Sequence, residues 1–202
     1  MMIKVCGMRD AENIRKVEAL GIDLMGFIFW LKSSRYVSER PAYLPTKCKR
    51  VGVFVDENVE VVKRIADDYA LDFIQLHGHE SPEYCAQLNG LKMIKAISVS
   101  GRDDIATYKA YEGLVDYFLF DTKCPSVGGS GQQFDWTVLS AYDGNTPFLL
   151  SGGIGPDDAA RVSAFHHSKC IGIDLNSRFE IAPGLKDINK LRTFLNAINN
   201  GK

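Results

Sequence analysis

The residues best suited to chemistry lie at the ends of short apolar runs. Cys6 closes Ile3-Lys4-Val5-Cys6-Gly7. A free cysteine is commonly a small buried hydrophobe. As a base it needs its thiolate, only about a few per cent of an ordinary thiol at neutral pH, so a nearby cation or helix N-terminus is required. Lys4 lies one pleat repeat away on the same face, and its expected role is an internal ion pair with Asp174. Asp121 follows the apolar run Tyr117–Phe120 and precedes the glycine-rich Gly128-Gly129-Ser130-Gly131. A carboxylate there is either a turn or cap residue or a general acid. The second role requires burial or a neighbouring negative charge to keep its proton on.

A second group of residues is suited to holding an anion. Leu149-Leu150-Ser151-Gly152-Gly153-Ile154-Gly155-Pro156-Asp157 runs from a strand pattern into a helix pattern. Gly152 and Gly153 let backbone N–H groups approach phosphate closely, and a helix start adds a favourable dipole. The next unit supplies Asn176 and Ser177. Arg35, in Lys32-Ser33-Ser34-Arg35-Tyr36-Val37, is either a solvated loop arginine or a bidentate grip for a carboxylate. His77, in Gln75-Leu76-His77-Gly78, is placed to orient substrate or a neighbouring side chain, whereas His166 and His167 read as exposed residues at a helix end. The glycine-rich loop at 128–131 is not a dinucleotide fingerprint, because it does not follow its strand directly, and no Walker A pattern exists.

These residues must be positioned by a repeated strand–helix frame. Candidate strands begin near Met2, Leu24, Val51, Asp72, Lys92, Tyr117, Pro147 and Cys170. Helical patterns fall at Asp10–Leu20, Asn58–Tyr69, Ser81–Leu88, Arg102–Tyr111, Asp135–Tyr142, Asp157–Phe165 and Ile188–Ile198. Ser38–Leu44 contains Pro41 and predicts a short or irregular helix. Such alternation allows a closed (β/α)8 barrel or an open doubly wound sheet. The strand faces favour the barrel. Lys4 with Cys6, Gln75 with His77, Lys95, and Asp121 are read as polar groups opposite the apolar set Ile3, Val5, Ile74 and Leu76. A barrel has one interior in which such groups converge. The expected organisation is α/β, a single-domain (β/α)8 TIM barrel over residues 1–202.

Composition narrows the function classes. The chain has 202 residues, 46% of them hydrophobic, and a formal net charge of −1. No basic footprint for nucleic acid or an anionic membrane is visible. The five scattered cysteines do not form a disulfide framework, and no C-x-x-C or H-x-x-x-H pair suggests structural zinc. The N-terminal MMIKVCGMRD lacks a signal-peptide apolar region, and the apolar run Leu24–Leu31 is too short to span a bilayer. A reduced, cytoplasmic protein is expected.

Taken in order, the chain resembles the phosphoribosylanthranilate isomerases of tryptophan biosynthesis. The motifs are KVCG at 4–7, GFIFWLKSSRYV at 26–37, VGVFV at 51–55, QLHG at 75–78, KAI at 95–97, LFDTK at 119–123, GGSGQQFDW at 128–136, LSGGI at 150–154, ID at 173–174 and PGLKD at 183–187. The resemblance implies a (β/α)8 barrel and an Amadori rearrangement of N-(5-phosphoribosyl)anthranilate without metal or organic cofactor. It places the base on Cys6, the acid on Asp121 and the carboxylate-facing arginine on Arg35. Phosphate falls to the backbone at Gly152, Gly153 and the loop after the eighth strand, where Asn176 and Ser177 lie. The implied partner is a small phosphosugar, with neither nucleic acid nor membrane, on a monomer or homodimer. Two departures stand out: Ser34 replaces the usual proline before the arginine, and Arg178 replaces a glycine after strand eight. A histidine-pathway sugar isomerase on a similar barrel is the nearest rival, but it carries an aspartate where Cys6 stands. A non-catalytic phosphate-ligand binder is the rival from another class.

Overall fold

A computed structural model of the chain describes residues 1–122 and 133–200. The glycine-rich stretch Gly128–Gly131 and Cys124 lie outside the described residues. Eight parallel strands close into a barrel: β1 Met2–Val5, β2 Leu24–Ile28, β3 Lys49–Phe54, β4 Phe73–Leu76, β5 Met93–Val99, β6 Tyr117–Thr122, β7 Phe148–Leu150 and β8 Cys170–Leu175. Closure is direct. β1 pairs with β2 through Lys4↔Leu24 and with β8 through Lys4↔Asp174. After β8 the chain forms a two-stranded antiparallel pair, β9 Glu180–Ala182 and β10 Leu185–Lys186.

The helices start where side chains satisfy their first amides. α1 (Ala11–Glu18) is capped by Asp10, α2 (Val59–Tyr69) by Asn58 and α3 (Pro82–Gln87) by Ser81, with Pro82 in the first turn. α4 (Arg102–Ile105), α5 (Ala159–Ala164) and α6 (Ile188–Asn200) complete the α-helical set among the described residues. The ring is thinner than the sequence pattern suggests. No helix forms over 38–44, the segment containing Pro41. Residues Ala106–Tyr111, Trp136–Ala141 and Pro156–Asp158 are 3-10 helices. A 3-10 turn eclipses side chains three residues apart. That aligns the buried pairs Tyr108/Tyr111 and Trp136/Leu139, so bulky rings fill the layer where a regular helix is expected.

The barrel has two apolar regions. Ile3, Val5, Phe27, Phe54, Ile74, Phe118, Phe120 and Leu175 face the outer layer, while Leu24, Val51, Phe73, Ile94, Leu119 and Leu149 fill the interior. Polar groups lie between that interior plug and the C-terminal rim. Lys4 Nζ donates to Asp174 Oδ1 at 2.9 Å inside the barrel, the expected ion pair, with side-chain exposures of 0% and 6%. Lys95 departs from its expected inward face. It shares the outer face of β5 with Met93 and pairs with buried Glu80 at 3.0 Å, while its inward neighbours are Ile94 and Ala96. His167 also departs, being partly buried against Phe148 with Nε2 3.2 Å from the Tyr142 carbonyl. Among the described residues, no helix is long and apolar enough to cross a membrane.

Candidate active site

Cys6 follows β1 and is 3% exposed. Gly26 on β2 makes room for it: a Cβ there would stand 2.6 Å from the Cys6 sulfur. Burial pushes the thiol above its ordinary value; Lys4 and Lys186 pull it down, while Asp174 adds to the rise. Lys4 remains a cation. Burial alone would lower it, but Asp174 and Cys6 together hold it above its ordinary value. The cation that a reactive thiol requires is therefore present twice, and neither lysine is open to solvent.

Asp121 is the penultimate residue of β6, with its side chain 14% exposed. Its Oδ1 accepts from the Thr122 amide at 2.9 Å, and its Oδ2 lies 3.1 Å from His77 Nε2. His77 Nδ1 lies 2.9 Å from Gln75 Nε2. A side-chain amide nitrogen only donates, so this arrangement puts the imidazole proton on Nε2, directed at Asp121. It also leaves the buried Gln75 Oε1 without a partner. His77 is thus hydrogen-bonded to a neighbouring side chain, Asp121.

Arg35 lies after β2 and is joined to Glu180. Arg35 Nε contacts Glu180 Oε1 and Oε2 at 2.9 and 3.0 Å, and Nη2 reaches Oε2 at 2.7 Å. A guanidinium has two forks. Glu180 occupies the Nε–Nη2 side, and the end fork of Nη1 and Nη2 is the one geometrically suited to a second carboxylate. Glu180 also accepts from Lys186 Nζ at 2.6 Å and from the Gly184 amide at 3.1 Å. Burial would raise its carboxyl, but Arg35 and Lys186 outweigh that and hold it below the usual range.

The anion loop is built on backbone conformation. Gly152 and Gly153 have φ of +91° and +66°. A Cβ at Gly152 would meet Thr122 Oγ1 at 2.2 Å and its amide at 2.8 Å, so this loop sits against the end of the strand that carries Asp121. Gln133 joins the same loop by donating to the Gly153 carbonyl at 2.9 Å and to Asp158 Oδ2 at 2.6 Å. Ser177 opens a 3-10 turn, Ser177–Phe179, after β8. The Asn176 side chain does not join this loop. Its Oδ1 accepts from Lys186 Nζ at 2.9 Å, on the side of Gly7 and Arg35. Arg178 is exposed, and its stem crosses Gly155, where an added Cβ would stand 2.9 Å from Arg178 Cδ.

The structure thus brings Cys6, His77, Asp121, Arg35, Gly152, Gly153, Asn176 and Ser177 to the C-terminal ends of the strands or the loops directly after them. Sequence reasoning assigned no role to Gln75, Gly26, Glu180 or Lys186. Gln75 carries a signal, its two-residue spacing from His77. Glu180 stands 145 positions from Arg35, and no local pattern pairs them.

A thiol flanked by buried cations and a carboxylate held by imidazole lie on one barrel rim beside a diglycine loop, and the chain is of the (β/α)8 enzyme class. Comparison with known proteins makes this specific. The family model described as N-(5'phosphoribosyl)anthranilate (PRA) isomerase matches residues 3–197. Curated N-(5'-phosphoribosyl)anthranilate isomerases from Phocaeicola vulgatus and Parabacteroides distasonis are 52% and 50% identical. The first alignment covers 98% of both chains, and the second covers 98% of this chain and 93% of the relative. The crystal structure of the Thermotoga maritima phosphoribosyl anthranilate isomerase superposes with a TM-score of 0.86 at 31% identity, covering 99% of each chain. A phosphoribosyl anthranilate isomerase in complex with reduced 1-(o-carboxyphenylamino)-1-deoxyribulose 5-phosphate superposes at 0.83 with 29% identity, again covering 99% of each. The chain belongs to the N-(5'-phosphoribosyl)anthranilate isomerase family.

Proposed function

We propose that this protein catalyses the Amadori rearrangement of N-(5-phosphoribosyl)anthranilate to 1-(2-carboxyphenylamino)-1-deoxy-D-ribulose 5-phosphate, the isomerase step of tryptophan biosynthesis, with Asp121 as acid and Cys6 as base. The observation that carries the assignment of roles is the pairing of a cation-flanked thiol with an imidazole-held carboxyl on one barrel rim.

The substrate joins C1 of a furanose to the aniline nitrogen. Asp121 gives its proton to the ring oxygen as the C1–O bond breaks, and the nitrogen lone pair forms the C1–N iminium. Cys6 then takes the proton from C2, and the C2–H electrons form the C1–C2 double bond of an enolamine. The enol loses its hydroxyl proton and C1 gains one, leaving a C2 ketone and a C1 methylene. C1 is reduced and C2 oxidised within one molecule, so electrons balance without an outside donor. Each positioned acid or base contributes about 10²–10⁴-fold.

Asp121 must carry a proton for the first step, and the opposite placement of the Gln75 amide allows it. A side-chain amide can be placed either way round. Turning the Gln75 amide lets Oε1 accept from Nδ1–H of His77. His77 Nε2 then accepts a hydrogen bond from protonated Asp121. Arg35, steadied by Glu180, would take the anthranilate carboxylate on its end fork. The amides at Gly152, Gly153 and Ser177 would take the phosphate. The partner is a small phosphosugar, and the working compartment is the cytoplasm.

The test compares Cys6→Ser and Asp121→Asn with the unaltered protein in steady-state turnover and in binding of the reduced product analogue. Each variant is expected to lose most of kcat while retaining the analogue. Full turnover in both would remove the acid and base assignments. Turnover of the aminoimidazole substrate of the histidine-pathway isomerase alone would refute the substrate.

A further inference from the structure

One of the two cations that flank the thiol is also tied, through Glu180, to Arg35. Lys186, on β10, is fully buried at 0% exposure. An ammonium has three donors. Two contact Glu180 Oε1 at 2.6 Å and Asn176 Oδ1 at 2.9 Å. The amine also lies 3.5 Å from where a Cβ on Gly7, the residue directly after Cys6, would stand. The same point is 2.7 Å from Arg35 Cδ and 2.9 Å from Asn176 Oδ1, so these groups close over the backbone that carries the thiol. With φ of +78° and these contacts, position 7 has no room for a side chain.

Counting charge shows what is missing. Arg35 and Lys186 are two cations sharing one carboxylate, Glu180. Asp174 is taken by Lys4, and Asp121, protonated beside a neutral His77 in the proposed mechanism, adds no charge. A fully buried surplus cation is costly unless an anion faces it. Cys6 is faced by Lys4 from its own strand, Asp174 from β8 and Lys186 from β10, with Arg35 and Glu180 beyond Gly7. Among these described residues, and before a substrate carboxylate reaches Arg35, the thiol is the group that can supply a further negative charge.

We propose that Lys186 is a positioning residue that supplies the counter-charge for the Cys6 thiolate and, through Glu180, ties that base to the arginine that receives the substrate carboxylate. This rests on Cys6 being the base. Burial pushes the Cys6 thiol up, against the pull of Lys4 and Lys186, and burial lowers Lys186, against the pull of Glu180 first and then of Cys6. The strand pair β9–β10 thereby gains a task. Its turn brings Glu180 and Lys186 back against the first strand's end and locks the carboxylate grip and the base into one cluster.

The experiment measures iodoacetamide alkylation of Cys6 against pH, read by peptide mass, beside the pH profile of kcat/KM. Lys186→Gln keeps hydrogen-bond donors but removes the charge, and Lys186→Arg keeps the charge. The glutamine variant is expected to move both Cys6 midpoints up by about one to three pH units, as loss of a nearby opposite charge does. That slows alkylation about tenfold or more below the midpoint. The arginine variant is expected to restore most of the shift. An unshifted alkylation midpoint in Lys186→Gln overturns the proposal, as does an equal rise in Lys186→Arg. Cys6→Ser separates the two readings. If it retains full turnover, Cys6 is not the base and the catalytic part of the inference falls with it, even if Lys186 shifts the thiol.

Discussion

Gly26→Ala is the sharpest perturbation of the proposed base that leaves every ionisable group in place. The new methyl carbon would lie 2.6 Å from the Cys6 sulfur, 3.1 Å from its Cα and 3.2 Å from its Cβ, where ordinary contacts are 3.4–4 Å. The flanking backbone is fixed by strand pairing through Val5↔Met25 and by the Met8 amide on the Gly26 carbonyl at 2.9 Å. The sulfur must therefore retreat by about 1 Å, a displacement that can cost about 10²-fold in rate. That is about 2.7 kcal/mol on the barrier. Overpacking by one methyl costs about 1–3 kcal/mol in stability, so the barrel should still fold. Steady-state kinetics and thermal melts on the same preparation give both numbers. The expected result is a large fall in kcat with little change in KM, because the phosphate loop and Arg35 are untouched. Unchanged kcat in a folded Gly26→Ala protein would mean that the position of the thiol does not govern the chemistry.

Two further outcomes follow from the same geometry. Gly152→Ala introduces a Cβ 2.2 Å from Thr122 Oγ1 at a φ of +91°; it should raise KM and weaken inorganic phosphate as an inhibitor, and unchanged phosphate inhibition would contradict the role of that loop. Glu180→Gln should destabilise the protein at neutral pH by about 3–5 kcal/mol, because it strands two partly or fully buried cations. Glu180 is held below its ordinary value in the folded protein, so its stabilisation is present above the unfolded carboxylate range, about pH 4.3, and is lost as pH falls through the folded value. The gap in melting temperature between the two proteins should thus close on acidification, and a gap independent of pH would refute it.

The fold was legible because period-two apolar runs at near-even spacing have few alternatives. Strands expected near Met2, Leu24, Tyr117 and Cys170 begin at those residues. Lys4 and Asp174 were legible as a pair because two charges aimed into one closed interior must meet. Lys95 was not legible. A two-residue spacing fixes which residues share a face but not which face is inside, and Glu80, 15 residues earlier in the loop after β4, pairs with that lysine on the outer face. The helical ring is overestimated because large apolar residues three apart satisfy both the helix pattern and the 3-10 turn that forms. At the site, Cys6, Arg35 and Asp121 stood out by type and by their place after strands. Asn176 and Ser177 are read from their place after the eighth strand, as backbone for an anion; that the Asn176 side chain turns to Lys186 is not visible in that position. The Arg35–Glu180–Lys186 cluster joins segments that touch only once the barrel has closed, so sequence spacing carries no sign of it.

The central claim is that one pentose touches Cys6 and Asp121 together. A crystal structure with the reduced product analogue bound measures this directly, as the distance from the Cys6 sulfur to sugar C2 and from the Asp121 carboxyl to the oxygen released from the ring. The account predicts that both fall within about 3–4 Å, near-attack separation, with the phosphate on the Gly152–Gly153 amides. A bound sugar that reaches one of the two groups and leaves the other out of contact would contradict it.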